Sequence, residues 1–418
     1  MRSPAHVPAS ADQPVRRPRW TTLAASGALL VALTAGLAAP ALAAGPARAA
    51  ASDARGVAPL DRAALAATLA DLPDATVSGA LVRVTGRGGE WSGTAGEGVP
   101  ADGRFRIGSI SKVFTATVVL QLGAERRLDL DATVQHYLPG LLRADYPPVT
   151  VGQLLDHTSG LPGGSGLTSG DGSEQWFADH RTDGWTPAEV VASAVAQPMS
   201  FTPGTAQQYN GINTFIAGML VEKVTGRSFA REVQTRIARP LGLHDTYVPA
   251  ADDTSLPGPH AHGYLTVPGP GGADAPGVLV DVTEQSPWPW AEGGMISSAA
   301  DLDRFMTALF RGRLLPPVQQ AKLFTVPAVP NYRNKNCEVG PTAGHACFSM
   351  GLMTATLPNG VVVWGKTGSR PGYTSGVFAT RDLSRHLVYS MNPTGIDGRE
   401  FPHMWAVVTT SLGSGRSY

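Results

Sequence analysis

The sequence predicts an α+β fold built as one domain interrupted in the middle. Short runs rich in β-branched and aromatic residues gather at the two ends of the chain, and the segment between them alternates helical stretches with long Gly/Ser/Pro loops. A strongly apolar helical run also begins at about Ser109, directly after the first strand-like runs, and needs a sheet or other helices to cover it. A sheet part, about 58–125 and 290–415, therefore encloses a helical part, about 126–289. Residues 50–418 then form a single domain.

The elements follow in order. Leu60, Ala64, Leu65, Leu69 and Leu72 make one helical stripe. Ser78–Thr85 and Glu90–Ala95 read as strands joined by a glycine-rich turn. A helix is expected from about Ser109 to Leu122. In the middle, Val151–Leu155, Pro187–Val195 and Asn213–Val224 are helical, and 163–174 and 255–287 are long loops. Strands return at Met350–Leu357, Val361–Lys366, Tyr373–Thr380 and His386–Met391. They are separated by turns at Pro358-Asn359-Gly360, Pro371-Gly372 and Arg381-Asp382. A last helix covers about Phe401–Leu412.

Of the 418 residues, 43% are apolar and 16% charged, enough for a sizeable core. Lys+Arg and Asp+Glu balance at 33 each and form no basic stripe, which excludes a nucleic-acid binder as the leading reading. Residues 1–49 read as an export leader. Arg16, Arg17 and Arg19 precede the apolar run Thr21–Ala39, and Ala41-Leu42-Ala43 and Ala47-Arg48-Ala49 offer cleavage sites. A retained anchor is the competing reading, since the run is just long enough to span a membrane. The expectation is a secreted protein with no stable membrane anchor, working as a monomer on a small-molecule or peptide substrate. Cys337 and Cys347 are expected to pair in that oxidising setting. No metal-ligand cluster and no cofactor signature are present in the sequence.

The chemistry rests on three short motifs. Ser109-Ile110-Ser111-Lys112 is S-x-x-K, and i and i+3 share a helix face, so the Ser109 hydroxyl and Lys112 amine can meet. Serine is a weak nucleophile and needs a neighbouring base; lysine can serve if burial or nearby charge lowers its pKa. A capping serine with a solvated lysine would look the same, but the apolar surroundings (Val113, Phe114, Val118, Val119, Leu120) oppose solvation. Lys366-Thr367-Gly368 closes an apolar strand. That strand is read as an edge that pairs with substrate backbone, with the glycine giving close approach and the N–H of Ser369 joining that of Ser109 in an oxyanion hole. Tyr209-Asn210-Gly211 precedes a helix; a phenol held between two lysines would drop in pKa and act as acid or base. The chain holds five lysines, so two of them inside motifs carry weight. S-x-x-K with K-T-G is a known serine-hydrolase combination.

With these motifs in this order, the chain resembles the β-lactamase-related serine hydrolases, which include class C β-lactamases, secreted D-alanyl-D-alanine carboxypeptidases and certain esterases. The resemblance runs from about Leu60 to Leu412. It includes Phe105–Phe114, Val149–Leu161, Ala217–Gly226, Pro240–Thr246, Gly293–Phe305 and Gly365–Gly372. It implies a transpeptidase-like antiparallel sheet flanked by helices, with an all-helical insertion and an acyl-enzyme mechanism. It also implies Ser109 as nucleophile, Lys112 and Tyr209 as the proton relay, and Lys366, Thr367, Gly368 and Ser369 along the substrate. His157, in the His-Thr-Ser-Gly loop, is expected to be structural.

Two departures narrow the substrate. The family pattern is Tyr-x-Asn, with the asparagine amide on the substrate, but here that position is Gly211 and the asparagine is Asn210, one residue early. Either a shifted loop lets Asn210 serve, or the contact is absent and esters are favoured over peptides. Some carboxypeptidases bind the substrate carboxylate with an arginine before K-T-G, whereas Met350–Ala355 holds no cation; Thr367, Ser369 and Arg370 are the possible substitutes. The leading expectation is a D-alanyl-D-alanine carboxypeptidase-like enzyme acting on cell-wall peptides. The alternatives are an esterase or β-lactamase on the same scaffold, or a non-catalytic penicillin-type binding domain.

Overall fold

The computed structural model describes residues 59–164, 167–271, 276–338 and 340–413. The expected leader, 1–49, with both its cleavage sites, lies outside the described residues.

Ten strands are described: β1 (Val77–Thr85), β2 (Trp91–Ala95), β3 (Arg104–Arg106), β4 (Tyr264–Val267), β5 (Val278–Asp281), β6 (Ile296–Ser298), β7 (Met353–Thr356), β8 (Val362–Arg370), β9 (Tyr373–Thr380) and β10 (His386–Pro393). The main sheet has the order β2-β1-β10-β9-β8-β7 and is antiparallel throughout. The two ends of the chain meet inside it, where β1 pairs with β10 from Val77↔Pro393 to Thr85↔His386. β3 and β6 form a second, small ladder beside it.

Alternation along the strands gives the sheet two apolar faces. Ala80, Val82, Val84, Leu387, Tyr389 and Met391 face a core closed by Leu65, Leu69 and Leu72 near the N-terminus and by Met404, Val407 and Leu412 of the C-terminal helix Phe401–Gly413. The opposite face packs on the helices Ser111–Ala124 and Ala299–Phe310, where Phe114 stacks on Phe305 at 3.8 Å between ring centroids. Ser111–Ala124 is buried on nearly every side, because the insertion helix Ile212–Thr225 covers what the sheet does not. This is why its sequence is apolar all round rather than striped. Each such large apolar side chain contributes about 1.5–3 kcal/mol when removed from water.

Several elements differ from expectation. The first helix is only Arg62–Ala67, capped by Asp61, although Leu60, Leu65, Leu69 and Leu72 are all buried as the stripe implied. Beyond Thr68 the chain makes looser turns toward Pro73, whose ring disfavours helix at the residue before it. The nucleophile helix starts with a 3-10 turn, Gly108–Ile110, before Ser111–Ala124. The insertion is mostly helical but also carries the hairpin β4–β5 within 255–287. Leu265 and Val267 are buried there, and the surrounding Gly and Pro hid that alternation in the sequence.

Candidate active site

The site lies where the turn Gly108–Ile110, the insertion and β8 converge. Gly108 has φ +48, and a Cβ there would lie 2.5 Å from the Ser369 nitrogen. A Cβ on Gly368 would lie 2.0 Å from the Ile107 carbonyl oxygen. The two glycines thus let the nucleophile turn rest directly on β8. This is a different use of Gly368 from the expected one: it accommodates the protein's own backbone. The backbones of Ser109 and Ser369, the two expected oxyanion donors, lie on these touching segments. β7 pairs with β8 only over Val362–Gly365, so Lys366–Arg370 has β9 on one side and an open edge on the other. An extended substrate can add itself there.

Ser109 is half-buried, and its Oγ accepts a 2.9 Å hydrogen bond from Lys112 Nζ. Ser111 is fully buried and committed, its Oγ donating to the Gly108 carbonyl at 2.7 Å and accepting from Met295 N at 3.2 Å. Lys112 is 4% exposed, and its other two donors go to the backbone oxygen of Glu292 (2.9 Å) and to the Glu292 carboxylate. Burial alone would lower the Lys112 pKa, but Glu292 and Tyr209 outweigh it and the net direction is up. That reverses the expectation of a lysine tuned downward to act as base. Lys366, 3% exposed, behaves oppositely: burial, helped by the Lys112 charge, lowers it against the pull of Tyr209.

Tyr209 lies between the two lysines, its ring centroid 5.1 Å from Lys112 Nζ and 4.6 Å from Lys366 Nζ. Burial would raise its phenol, but the two ammonium groups dominate and lower it. The ring stacks on Phe348 at 5.0 Å, and its backbone N–H donates to the Asn334 side chain. Gln207, fully buried, ties this loop to the Cys347–Phe348 backbone, accepting from both N–H groups and donating to the Phe348 carbonyl. Cys337 and Cys347 are bonded, Cα–Cα 5.4 Å, and close the loop behind Phe348.

Asn210 faces away from this cluster. Its amide nitrogen donates to the carbonyls of Leu161 (2.8 Å) and Pro162 (3.0 Å), and its oxygen accepts from Ile212 N. Both amide hydrogens are thus committed to the 161–162 loop. His157 is buried and has φ +61, and its Nδ1 lies 3.1 Å from Asn213 Nδ2. Burial, then Lys112 and Lys366, push its pKa well down, which keeps it neutral. Thr367 is half-buried and Ser369 exposed on β8. Arg370, 8% exposed, donates from Nε to Gln285 and from Nη2 to the Ser286 carbonyl.

The residue that sequence reasoning did not single out is Glu292, on the short turn Trp290–Gly293. Nothing in its local sequence marks it. Its trace is elsewhere, at Gly211, where a Cβ would lie 2.9 Å from the Glu292 Oε1.

A family model named Beta-lactamase matches residues 34–414. The chain belongs to that family. Among its relatives are Penicillin-binding protein 4 of Amycolatopsis lactamdurans, 32% identical over 50% of this chain and 51% of the relative, and Esterase EstB of Burkholderia gladioli, 32% identical over 51% and 59%. The match thus spans little more than half the length of these relatives. Among solved structures, a D-stereospecific amidohydrolase from Streptomyces sp. superposes with TM-score 0.72 at 35% identity, covering 85% of this chain and all of the other. A D-amino acid amidase from Ochrobactrum anthropi SV3 superposes with TM-score 0.68, at 24% identity, and shares the fold. Ser109, Lys112, Tyr209 and Lys366 therefore converge within a β-lactamase-fold family of serine hydrolases.

Proposed function

We propose that the protein is an exported hydrolase that cleaves amide or ester bonds on the carboxyl side of D-configured residues, D-alanyl cell-wall peptides among them, through an acyl-enzyme on Ser109. The observation that carries this reading is the placement of Ser109 and Lys112 beside Tyr209 and Lys366, along the open edge of β8. The likeness to a D-stereospecific amidohydrolase over that protein's whole length supports the stereochemical part. Export rests on the composition of residues 1–49.

In this reading the Tyr209 phenolate, held by two cations, takes the Ser109 proton as Oγ attacks the substrate carbonyl. Lys112, as ammonium, steadies the oxygen it already bonds. The Ser109 and Ser369 N–H groups meet the developing oxyanion. Tyr209 then returns the proton to the leaving group, and water completes the cycle by the same route.

A strict carboxypeptidase needs a cation for the substrate's terminal carboxylate. β7 offers none, and Arg370 directs Nε and Nη2 into Gln285 and Ser286. Substrates without that carboxylate, aminoacyl amides and esters, fit better, with the Thr367 and Ser369 hydroxyls as neutral donors. Esters are expected to react faster than amides, since their leaving group needs less protonation.

The test is intact-mass analysis and turnover with a penicillin, a p-nitrophenyl ester, a D-Ala-D-Ala peptide and matched D- and L-aminoacyl amides. A Ser109 adduct is expected, absent in Ser109→Ala and kept in Ser111→Ala, with D-amides turned over about tenfold or more faster than L-amides. Label on another residue, or no preference for D, overturns the reading.

A further inference from the structure

Gly211 and Glu292 are far apart in sequence but share one space. A Cβ on Gly211 would lie 2.9 Å from Glu292 Oε1, nearer than real Cβ atoms come, with Cγ at 3.1 Å and Cδ at 3.2 Å, so the carboxylate would have to shift from its place on Lys112. Where a side chain from position 211 would begin, the Glu292 carboxylate stands instead. We propose that Glu292 is a positioning residue of the hydrolytic site, and that Gly211 is glycine in order to seat it: the carboxylate clamps the Lys112 ammonium against Ser109 and leaves Tyr209 as the proton acceptor. The proposal deepens the reading above and rests on the roles given there to Ser109 and Tyr209.

The clamp is built from several sides. Lys112 donates to Glu292 twice, to the backbone oxygen and to the carboxylate, and its third hydrogen reaches Ser109 Oγ. The turn that carries Glu292 is itself pinned. Trp290 holds φ +44 at its start and packs its ring against Phe229 and over Gly218, where a Cβ would lie 2.7 Å from that ring. Thr115, one turn along the nucleophile helix from Ser111, donates to the Ala291 carbonyl at 2.8 Å. A non-glycine residue in the left-handed region persists only where its surroundings enforce it. The Glu292 side chain is 22% exposed while Lys112 is 4% exposed, so the carboxylate screens the ammonium from the cleft.

The charged and titratable groups facing Lys112 are Glu292 from its turn, Tyr209 from the insertion, Lys366 from β8 and His157 from the loop after Val151–Leu155. Among them only Glu292 and Tyr209 favour the ammonium. If Glu292 is neutralised, burial and the Lys366 charge act against it. Lys112 then loses its proton at lower pH, and a neutral Lys112 no longer supports the Tyr209 phenolate.

The test uses the full chain and reads the second-order rate of Ser109 labelling by a fluorophosphonate across pH, which does not depend on the natural substrate. Glu292→Gln keeps shape and one acceptor but removes the charge. It is expected to slow labelling about tenfold or more and to move the alkaline limb down by about one pH unit or more. Gly211→Asn alone should lose labelling comparably by displacing the carboxylate. Gly211→Asn combined with Glu292→Ala removes the collision and should label faster than Gly211→Asn alone. Circular dichroism checks that each variant is folded. A Glu292→Gln rate and alkaline limb within error of the parent would overturn the clamp. A Gly211→Asn variant with parental rate, or a double variant no better than it, would overturn the shared space. If the parent is labelled at Ser109 but shows no preference for D-aminoacyl substrates, the substrate reading falls and the clamp stands on its own readout. If Ser109 takes no label at all, both fall.

Discussion

Lys366 and Lys112 look alike in sequence and play different parts around one phenol. Lys112 is neutralised locally by Glu292, whereas among the described residues Lys366 has no carboxylate in hydrogen-bond contact and donates to the Thr367 carbonyl at 2.9 Å. Both ammonium groups lower Tyr209, Lys112 first and Lys366 next, while Glu292 beside Lys112 works against them. Lys366→Met keeps the stem and removes the charge. With one cation gone, the phenolate forms only at higher pH. The acid limb of kcat/KM should then move up by about one unit or more, and activity at neutral pH should fall about tenfold or more. A pH–rate profile on an activated ester checks both; an acid limb that stays in place would show that Tyr209 is not the group reported. That Ser109, Lys112, Tyr209 and Lys366 lie together was legible because each sits in a short motif that the sequence marks. Glu292 was not, because its role arises from contact with Gly211 and Lys112 across the fold, and no period along the chain encodes that. Asn210 shows the converse. Its type and neighbourhood suggested a substrate contact, but its amide holds the 161–162 loop.

Among the elements, the C-terminal strands were read to within a few residues from their β-branched and aromatic content, as at Tyr373–Thr380, which is buried along nearly its whole length, whereas β4–β5 was missed where glycine and proline broke up the alternation. β8 ran longer than expected, through Arg370, because its pairing with β9 continues to the turn at Pro371-Gly372 whatever the side chains are. The entry to β1 offers a stability test. Asp74 accepts from Thr76 N and Oγ1 and from Val77 N, at 2.7–2.8 Å, and its other oxygen lies 2.8 Å from His403 Nε2 on the C-terminal helix. Burial is the largest single influence and raises it, but the hydrogen bonds from Thr76, Val77 and His403 together outweigh it and lower the pKa from 3.8 to about 2. A depressed carboxylate stabilises the fold above its unfolded pKa and stops doing so as pH falls through the folded one. Asp74→Ala should therefore cost about 1 kcal/mol near neutral pH, a modest figure because the side chain is partly solvated. Thermal unfolding should show the gap to the parent closing between about pH 4 and pH 2. A gap that is constant with pH would mean the loss is packing rather than charge.

For the whole molecule, the insertion and the sheet are joined where Gln207 and Tyr209 meet the disulfide loop. Replacing both Cys337 and Cys347 with serine should lower stability by about 2–3 kcal/mol in the chain-entropy picture of a short loop. Because Phe348 follows Cys347 directly and carries the Tyr209 ring, the same variant should also lose activity below its melting temperature. Denaturant titration and kcat on the same sample separate the two effects, and unchanged kcat would show that Phe348 holds Tyr209 without the bond. An antiparallel sheet flanked by helices was legible because helical and strand-like runs occupy different stretches. Which strand lies beside which was not, because pairing between distant segments leaves no local mark.

The pairing of β1 with β10 has a consequence in time as well as in space. The strand that begins at Val77 must wait for the one that ends at Pro393, and Ser109 emerges from synthesis long before Lys366. A nascent chain can collapse around its early helices, but Ser109 has no Lys366 beside its cluster until the last strands arrive. Assembly by such distant partners is slow and exposes strand edges while it lasts. On the mechanism proposed above, the same wiring withholds one of the two cations around Tyr209 while the chain is still being made.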